Sequence, residues 1–326
     1  MPVVIKVLTS DNKIWNQQQV LLDIAFAMSQ GLNIEIDLLR EGPDFLSLDL
    51  DNYIQSQSQR YRYDLNRIIL KTANMVETYT NCTVQKQFPT HLMINTLDYD
   101  CNIDKSQDLK HFGLFIGRQN APRLFFSYYL SVHHGDKLIH TNQFNSRNDF
   151  HCANIGLEEL YVRYGVKDLD TISRYLMSCP TNGQDTEYKK STTYNHAQYL
   201  LSQDRDMFTK KYNDFFAEIV CETCFTGNTF FPTEKIWRPI LLKTPFLLQG
   251  PKGFLKQLRA LGYETFSKWW DESYDDDDPG TSWFAICRII DELSKKTSAE
   301  LYVMIQDMQG ILENNRLKFL EMCKYT

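Results

Sequence analysis

Three consecutive polar residues, Thr233, Glu234 and Lys235, follow Pro232 in a stretch of sequence that is otherwise rich in apolar residues. Thr is a favourable N-cap, so the Glu and the Lys are predicted in the first turn of a helix, where the helix dipole attracts anions. A carboxylate there can accept hydrogen bonds from a diol, and a lysine beside the free N–H groups can hold phosphate oxygens. The pattern indicates a site for a ligand that carries both groups, although a Glu and a Lys at a helix start are also common without any function.

The residues upstream of this group form a short loop of small side chains, Thr226, Gly227, Asn228 and Thr229. Such a loop lets a ligand approach the backbone closely, because the glycine has no side chain and tolerates unusual dihedral angles. Asn228 is therefore a further candidate ligand contact.

Residues 219–248, which include the strings CETC, GNTFFPTEKIW and PILLKTPFLL, resemble the donor-binding block of the α1,3-fucosyltransferase family and related GT-B glycosyltransferases. In that family a strand ending in Phe-Glu-Asn leads through a variable loop to an aromatic residue, then Thr-Glu-Lys, a hydrophobic residue and Trp. The matching positions are Glu222, Phe231, Thr233, Glu234, Lys235, Ile236 and Trp237. The resemblance implies a nucleotide-sugar donor, with Glu234 on its ribose and Lys235 on its diphosphate or sugar.

A second match covers residues 111–140, which resemble the strand, basic turn and helix that open the fucosyltransferase donor domain. In the family an Arg in the turn contacts phosphate, which points to Arg118, with Arg123 as the neighbouring candidate. Thr223 stands where the family has Asn, and the loop before Phe231 is longer. The resemblance favours a GDP-linked donor, with fucose as the first candidate, a glycan acceptor, and no cofactor or metal.

Two alternatives remain open at this point. Asp98 and Asp100 form an Asp-x-Asp pattern after a short apolar run, and metal-dependent GT-A glycosyltransferases carry such a pair to hold Mn²⁺ or Mg²⁺ across a diphosphate. The second alternative is a protein without catalysis that only recognises nucleotide sugars or glycans.

An inverting transfer requires a base that removes a proton from the acceptor hydroxyl. Glu41 and Asp44 lie just after a predicted strand, on either side of Gly42-Pro43, and α/β sheets build their sites at the carboxyl ends of strands. Glu41 is the first candidate for this base and Asp44 the second, with Asp37 as a further alternate. A turn with surface acids has the same sequence.

The order of apolar runs predicts an α/β protein that begins with a Rossmann-type βαβ unit. Residues 3–9 and 33–39 are predicted strands around a helix at 17–28, and residues 53–79 are predicted as a polar helical stretch. A second βαβ start follows at residues 111–141.

Alternation of strands and helices resumes at residues 215–261, starting with a strand at 215–220, and two amphipathic helices at about 283–294 and 298–323 end the chain. These patterns predict two Rossmann-like domains that face each other across a cleft, as in GT-B enzymes, with residues 1–108 on the acceptor side and 109–326 on the donor side. The acids 275–278 are predicted as a solvated loop. Trp269, Trp270 and Tyr274 are predicted as packing residues, with stacking on a sugar or a base as the alternative.

Composition argues against several classes of protein. The 35 Lys and Arg against 41 Asp and Glu give a net charge of -6, so there is no overall basic field for nucleic acid. No apolar run approaches the roughly 20 residues of a spanning helix. Eight cysteines without an export signal are expected to be reduced thiols in a cytoplasmic protein.

Overall fold

The computed structural model describes residues 2–7, 17–39, 49–75, 82–88, 103–116, 121–142, 210–225 and 227–324. The chain divides into two compact units, Met1–Pro89 with Thr226–Phe231, and Thr90–Phe225 with Pro232–Thr326. The predicted division at residues 108 and 109 places the boundary later and assigns the segment Thr226–Phe231 to the second domain.

The first unit contains a parallel sheet with the strand order β1-β2-β3-β4. Its described elements are β1 Val3–Lys6, α1 Gln17–Ser29, β2 Ile34–Leu38, α2 Leu50–Tyr61, β3 Ile68–Thr72 and β4 Thr83–Lys86. Side chains alternate along β2 and β3 between buried and half-buried, as expected of a strand with one face on the core. Ile24 of α1 and Ile54 of α2 belong to the buried core with Ile36 and Leu70.

The prediction of a helical stretch at residues 53–79 is wrong for residues 62–75, and residues 76–79 lie outside the described part of the chain. Helix α2 ends at Arg62, which adopts a left-handed conformation, and Asp64 then caps a short 3-10 turn. Strand β3 follows directly and pairs in parallel with both β2 and β4. This strand has only five residues, and its β-branched and apolar side chains are buried by neighbours that are distant in sequence. Tertiary pairing therefore overrides the local helical pattern.

The second unit contains a parallel sheet with the strand order β6-β5-β7-β8. Its described elements are β5 Lys110–Ile116, α3 Ala121–His134, β6 Leu138–Asn142, β7 Phe215–Cys221, α4 Glu234–Leu241, β8 Phe246–Gln249, α5 Phe254–Ala260, α6 Pro279–Ser294 and α7 Ser298–Lys324. The central strand β7 is buried at all seven positions, as central parallel strands are. Both sheets are parallel with accompanying helices, so the predicted α/β class is confirmed.

The order of these strands creates a reversal between β5 and β7. From β5 the described chain continues to β6 on one side, whereas β7 lies on the other side and is followed by β8. The ring of Phe215 packs over Gly113, where a Cβ atom would lie 2.6 Å from it. In open α/β sheets, ligands bind outside the carboxyl ends of the strands at such a reversal.

The prediction that residues 275–278 form a solvated loop is wrong for Asp275, which is buried. Its carboxylate accepts hydrogen bonds from the backbone N–H groups of Leu255 at 2.8 Å and Lys256 at 2.9 Å, at the start of α5. Asp275 therefore supplies the acceptor for the free N–H groups of that helix, because the residue before it, Gly253, has no side chain to do so.

None of the helices in the described parts of the chain combines the length and the apolar character needed to cross a lipid bilayer.

Candidate functional site

The polar residues of the candidate site lie at the carboxyl edge of the second unit's sheet. Glu222 directly follows β7, and Thr233 is the N-cap of α4. Arg123 lies in the first turn of α3, the helix that follows β5. These elements therefore bring side chains from positions about 100 residues apart to the reversal between β5 and β7. We call Arg123, Glu222, Thr223, Thr233, Glu234 and Lys235 the edge cluster.

Glu222 is fully buried and stabilises the start of α4. Its carboxylate accepts hydrogen bonds from the hydroxyl of Thr233 at 2.6 Å, from the backbone N–H of Thr233 at 3.2 Å and from the backbone N–H of Thr223 at 3.3 Å. Burial raises the pKa of this carboxyl group, and the charge of Lys235 and the bonds from Thr233 act in the opposite direction. Glu222 thus fixes the position of the N-cap residue Thr233.

Lys235 has a protein acceptor for each of its three ammonium donors. Nζ donates to Glu234 Oε1 at 2.7 Å, and to the hydroxyls of Thr223 and Thr233 at 3.1 Å each. The side chains of Lys235 and Glu234 are each 12% exposed, so solvent still reaches this pair. A phosphate oxygen accepts more strongly than a neutral hydroxyl, so an arriving phosphate can replace a threonine without leaving the ammonium unsatisfied.

Arg123, in the first turn of α3, also donates to Thr223. Its Nε and Nη2 atoms donate to the carbonyl oxygen of Cys221 at 3.2 Å, and Nη2 lies 3.4 Å from the hydroxyl of Thr223. Thr223 therefore accepts from both Arg123 and Lys235. In the sequence, Thr223 was noted only as a departure from the family pattern. Its position directly after Glu222 was the signal that could have identified it as a site residue.

The apolar residues of the motif anchor α4 in the core of the unit. Trp237 is buried, with its ring 5.3 Å from that of Phe319 in α7 and 5.5 Å from that of Tyr263. On the opposite side, Arg238 forms a buried ion pair with Glu218 in the middle of β7. These contacts fix the helix that carries Glu234 and Lys235.

Asn228 and Phe231 belong to the first unit. Asn74, which follows β3, donates from its side chain to the Asn228 carbonyl at 3.0 Å and accepts from the Phe230 N–H at 2.9 Å. Asn228 is exposed and Phe231 is buried. The structure thus groups these two candidates with the end of β3, and the remaining described donor-binding candidates with the edge cluster.

Several candidates lie outside the described residues: Glu41, Asp44, Asp98, Asp100 and Arg118. Of the three proposed bases, only the alternate Asp37 is described. It is half-buried in β2, and its carboxylate accepts the backbone N–H of Leu39 at 3.0 Å.

Comparisons of this chain with protein-family models, with curated proteins and with solved structures gave no match.

Proposed function

We propose that this protein is a cytoplasmic glycosyltransferase of the GT-B type that transfers a sugar from a nucleotide-sugar donor to a glycan acceptor. The donor is GDP-linked, with fucose as the first candidate, and the transfer inverts the anomeric centre without a metal ion. The resemblance of residues 219–248 and 111–140 to the fucosyltransferase family supplies the class of donor.

One observation carries this proposal: Arg123 and Lys235 converge on the hydroxyl of Thr223 at the reversal between β5 and β7. Two cations that approach one neutral acceptor beside a helix start favour an anion there, because helix N–H groups and side-chain cations add to each other. Glu234, whose carboxylate lies next to the Lys235 ammonium, is then available to a ribose diol once phosphate has drawn the ammonium away.

The charges of the edge cluster suggest that a further cation takes part. Glu222 and Glu234 balance Arg123 and Lys235, and a diphosphate adds about two negative charges. Arg118, three residues before the start of α3, is the residue we expect to supply the missing charge. In this mechanism these cations and the helix N–H groups stabilise the leaving diphosphate, and Glu41, or alternatively Asp44, removes the proton from the acceptor.

The first experiment is a thermal-shift screen of GDP-, UDP- and dTDP-sugars, followed by calorimetry on the donor with the largest shift. A ligand at about 100 times its Kd stabilises the folded state by about 2.7 kcal/mol, which such a screen detects easily. We expect a GDP-sugar to give the largest shift.

The matched variants are Lys235→Met and Lys256→Met, since both lysines lie in the first turn of a short helix. Lys235→Met should reduce donor affinity and transfer about 100-fold or more, in line with the loss of a charge-stabilising donor, whereas Lys256→Met should change neither. Equal activity of the two variants would refute the assignment.

The same assays separate the alternatives. Donor binding without turnover or donor hydrolysis, with any acceptor pool, would identify a protein that only recognises nucleotide sugars. Loss of transfer in EDTA with rescue by Mn²⁺ would instead favour a GT-A mechanism through Asp98 and Asp100.

A further inference from the structure

A second candidate site lies elsewhere in the second unit, between the residues after α5 and the C-terminal half of α6. The structure contains a cavity of about 310 Å³ there, and none of its described lining residues belongs to the edge cluster. Its apolar wall includes Trp269, Trp270, Ile289 and Leu293. Ligand cavities generally measure about 300 to 1,000 Å³, so this one suits a small ligand, such as a single sugar ring.

The charged lining of this cavity is balanced in sign. Asp271 and Glu292 contribute two carboxylates, and Arg288 and Lys296 contribute two cations. A balanced set of charges does not create a potential that selects either an anion or a cation. It does offer hydrogen-bond donors and acceptors side by side.

The donors in this lining are available to a ligand. Among the residues that the structure describes, the side chains of Arg288 and Lys296 form no hydrogen bond or ion pair. The two carboxylates already accept some hydrogen bonds. Each oxygen of Asp271 accepts one bond from Ser273 at 2.9 Å, and Glu292 pairs with Lys295 at 2.6 Å. A carboxylate oxygen has two lone-pair sites, so acceptor capacity also remains.

The aromatic wall is held in a fixed orientation. The indole N–H of Trp269 donates to Asp307 at 2.9 Å, and the Lys268 ammonium lies 5.0 Å from the centre of its ring system. Trp270 is buried, and its ring lies 5.1 Å from that of Phe266. A ligand would therefore meet a preorganised surface, which lowers the entropy cost of binding.

We propose that this cavity binds one pyranose ring of a carbohydrate. A pyranose has an apolar face of C–H groups that matches an indole surface, and a rim of hydroxyls that each donate and accept hydrogen bonds. A tryptophan wall beside unpaired cations and partly engaged carboxylates meets both requirements. The inference does not rest on the transferase activity, because none of the edge cluster residues takes part in it.

The test is saturation-transfer NMR on the full chain, with methyl α-L-fucopyranoside, methyl β-D-galactopyranoside and methyl β-D-glucopyranoside as probes at about 10 mM, suited to millimolar affinity. Sorbitol, an acyclic polyol without a ring face, is the control ligand. We expect transfer to the ring protons of at least one pyranoside and not to sorbitol. Trp269→Leu and Arg288→Gln should each reduce this transfer about tenfold, while Lys252→Gln, which changes an exposed lysine outside the lining, should leave it intact.

Arg288 is exposed, so the Arg288→Gln variant keeps its fold even if Trp269→Leu does not. Four results would overturn the proposal: absence of transfer to all three pyranosides, equal transfer to sorbitol, transfer that Arg288→Gln leaves unchanged, or transfer to L-leucine in place of the pyranosides. The last result would mean that the balanced charges bind a zwitterion.

Discussion

Two glutamates four residues apart lie in β7 and directly after it, and each is the centre of a different polar group. Glu218, in the middle of the strand, pairs with Arg238 and accepts the hydroxyl of Tyr212 at 2.7 Å. Glu222, just after the strand, accepts from the N-cap Thr233 that in turn holds Lys235. We call Glu218, Arg238, Tyr212 and Lys105 the interior cluster.

Both glutamates are completely buried, so burial alone does not distinguish their roles. The difference lies in the cations. Arg238 is 5% exposed and paired with a carboxylate, whereas Lys235 is 12% exposed and has two neutral hydroxyls among its three acceptors. A ligand anion can compete with hydroxyls at the sheet edge, but it cannot reach an ion pair within the sheet. Position along the strand therefore decides whether the same chemistry stabilises the fold or is open to a ligand.

The largest effect is expected from Arg238→Met, which leaves Glu218 buried without its cation. Removal of one partner from a buried ion pair typically costs about 3–5 kcal/mol of unfolding free energy. Urea unfolding, monitored by circular dichroism, measures this loss of unfolding free energy. The double variant Arg238→Met/Glu218→Leu should recover most of it, because an apolar pair leaves no buried charge. A loss below about 1 kcal/mol, the range of exposed ion pairs, would show that the interior cluster contributes little.

Glu222→Gln should have a smaller effect on stability and a distinct effect on the ligand. An amide has one accepting oxygen, so it cannot keep all the bonds that the two carboxylate oxygens accept from Thr223 and Thr233. A bond to a charged group contributes about 1.5–3 kcal/mol, so we expect donor affinity to fall about 10- to 100-fold as Thr233 and Lys235 shift. Calorimetry with the donor found in the screen measures it. Unchanged affinity would show that Glu222 does not contribute to donor binding by the edge cluster.

A third test uses Lys105 of the interior cluster, whose ammonium donates to the Tyr212 and Phe215 carbonyls and to the Thr244 hydroxyl. Burial lowers the pKa of Lys105 from 10.5 to about 7. Between these values the unfolded chain binds more protons than the folded one, so stability rises as pH increases from about 7.

We expect this contribution to amount to about 2 kcal/mol between about pH 7 and pH 9, measured as the urea-unfolding free energy of the natural chain minus that of Lys105→Met. The subtraction removes the titration of other groups. A difference that does not change with pH would mean that Lys105 stays charged in the core.

The smallest effect concerns Asp275, which, like Glu222, accepts hydrogen bonds at a helix start, and whose neighbouring cation is the exposed Arg259 at 3.7 Å. Asp275→Asn leaves one accepting oxygen for the N–H groups of Leu255 and Lys256, and the loss of a cap costs about 1 kcal/mol. The neighbouring exposed residue provides the control, since Asp276→Asn should change stability by less than about 0.5 kcal/mol. Thermal unfolding of both variants decides the point, and donor affinity should be the same in both.

Much of the fold follows from local patterns. The apolar run of β7, the periodicity of α1 and the two C-terminal helices were predicted to within a few residues, because each element's buried face repeats with its own period. Strand β3 was missed, since a five-residue strand next to a polar helix has too little periodicity to be recognised alone. The burial of Asp275 was missed for a related reason: its partners lie 19 and 20 residues earlier in the chain.

By itself, the sequence determined the start of α4. The N-cap Thr233 and the two charged residues after it are set by local backbone chemistry, and the structure has them as expected. Only the tertiary structure decided that Arg123 reaches Thr223, because that contact depends on the order in which β5 and β7 pair. The tertiary structure also decided that Glu218 is buried within the sheet and that Glu222 stabilises the edge of the sheet. The physical reason is that capping acts over a few residues, whereas strand pairing joins segments about 100 residues apart and is settled only when the whole core is buried.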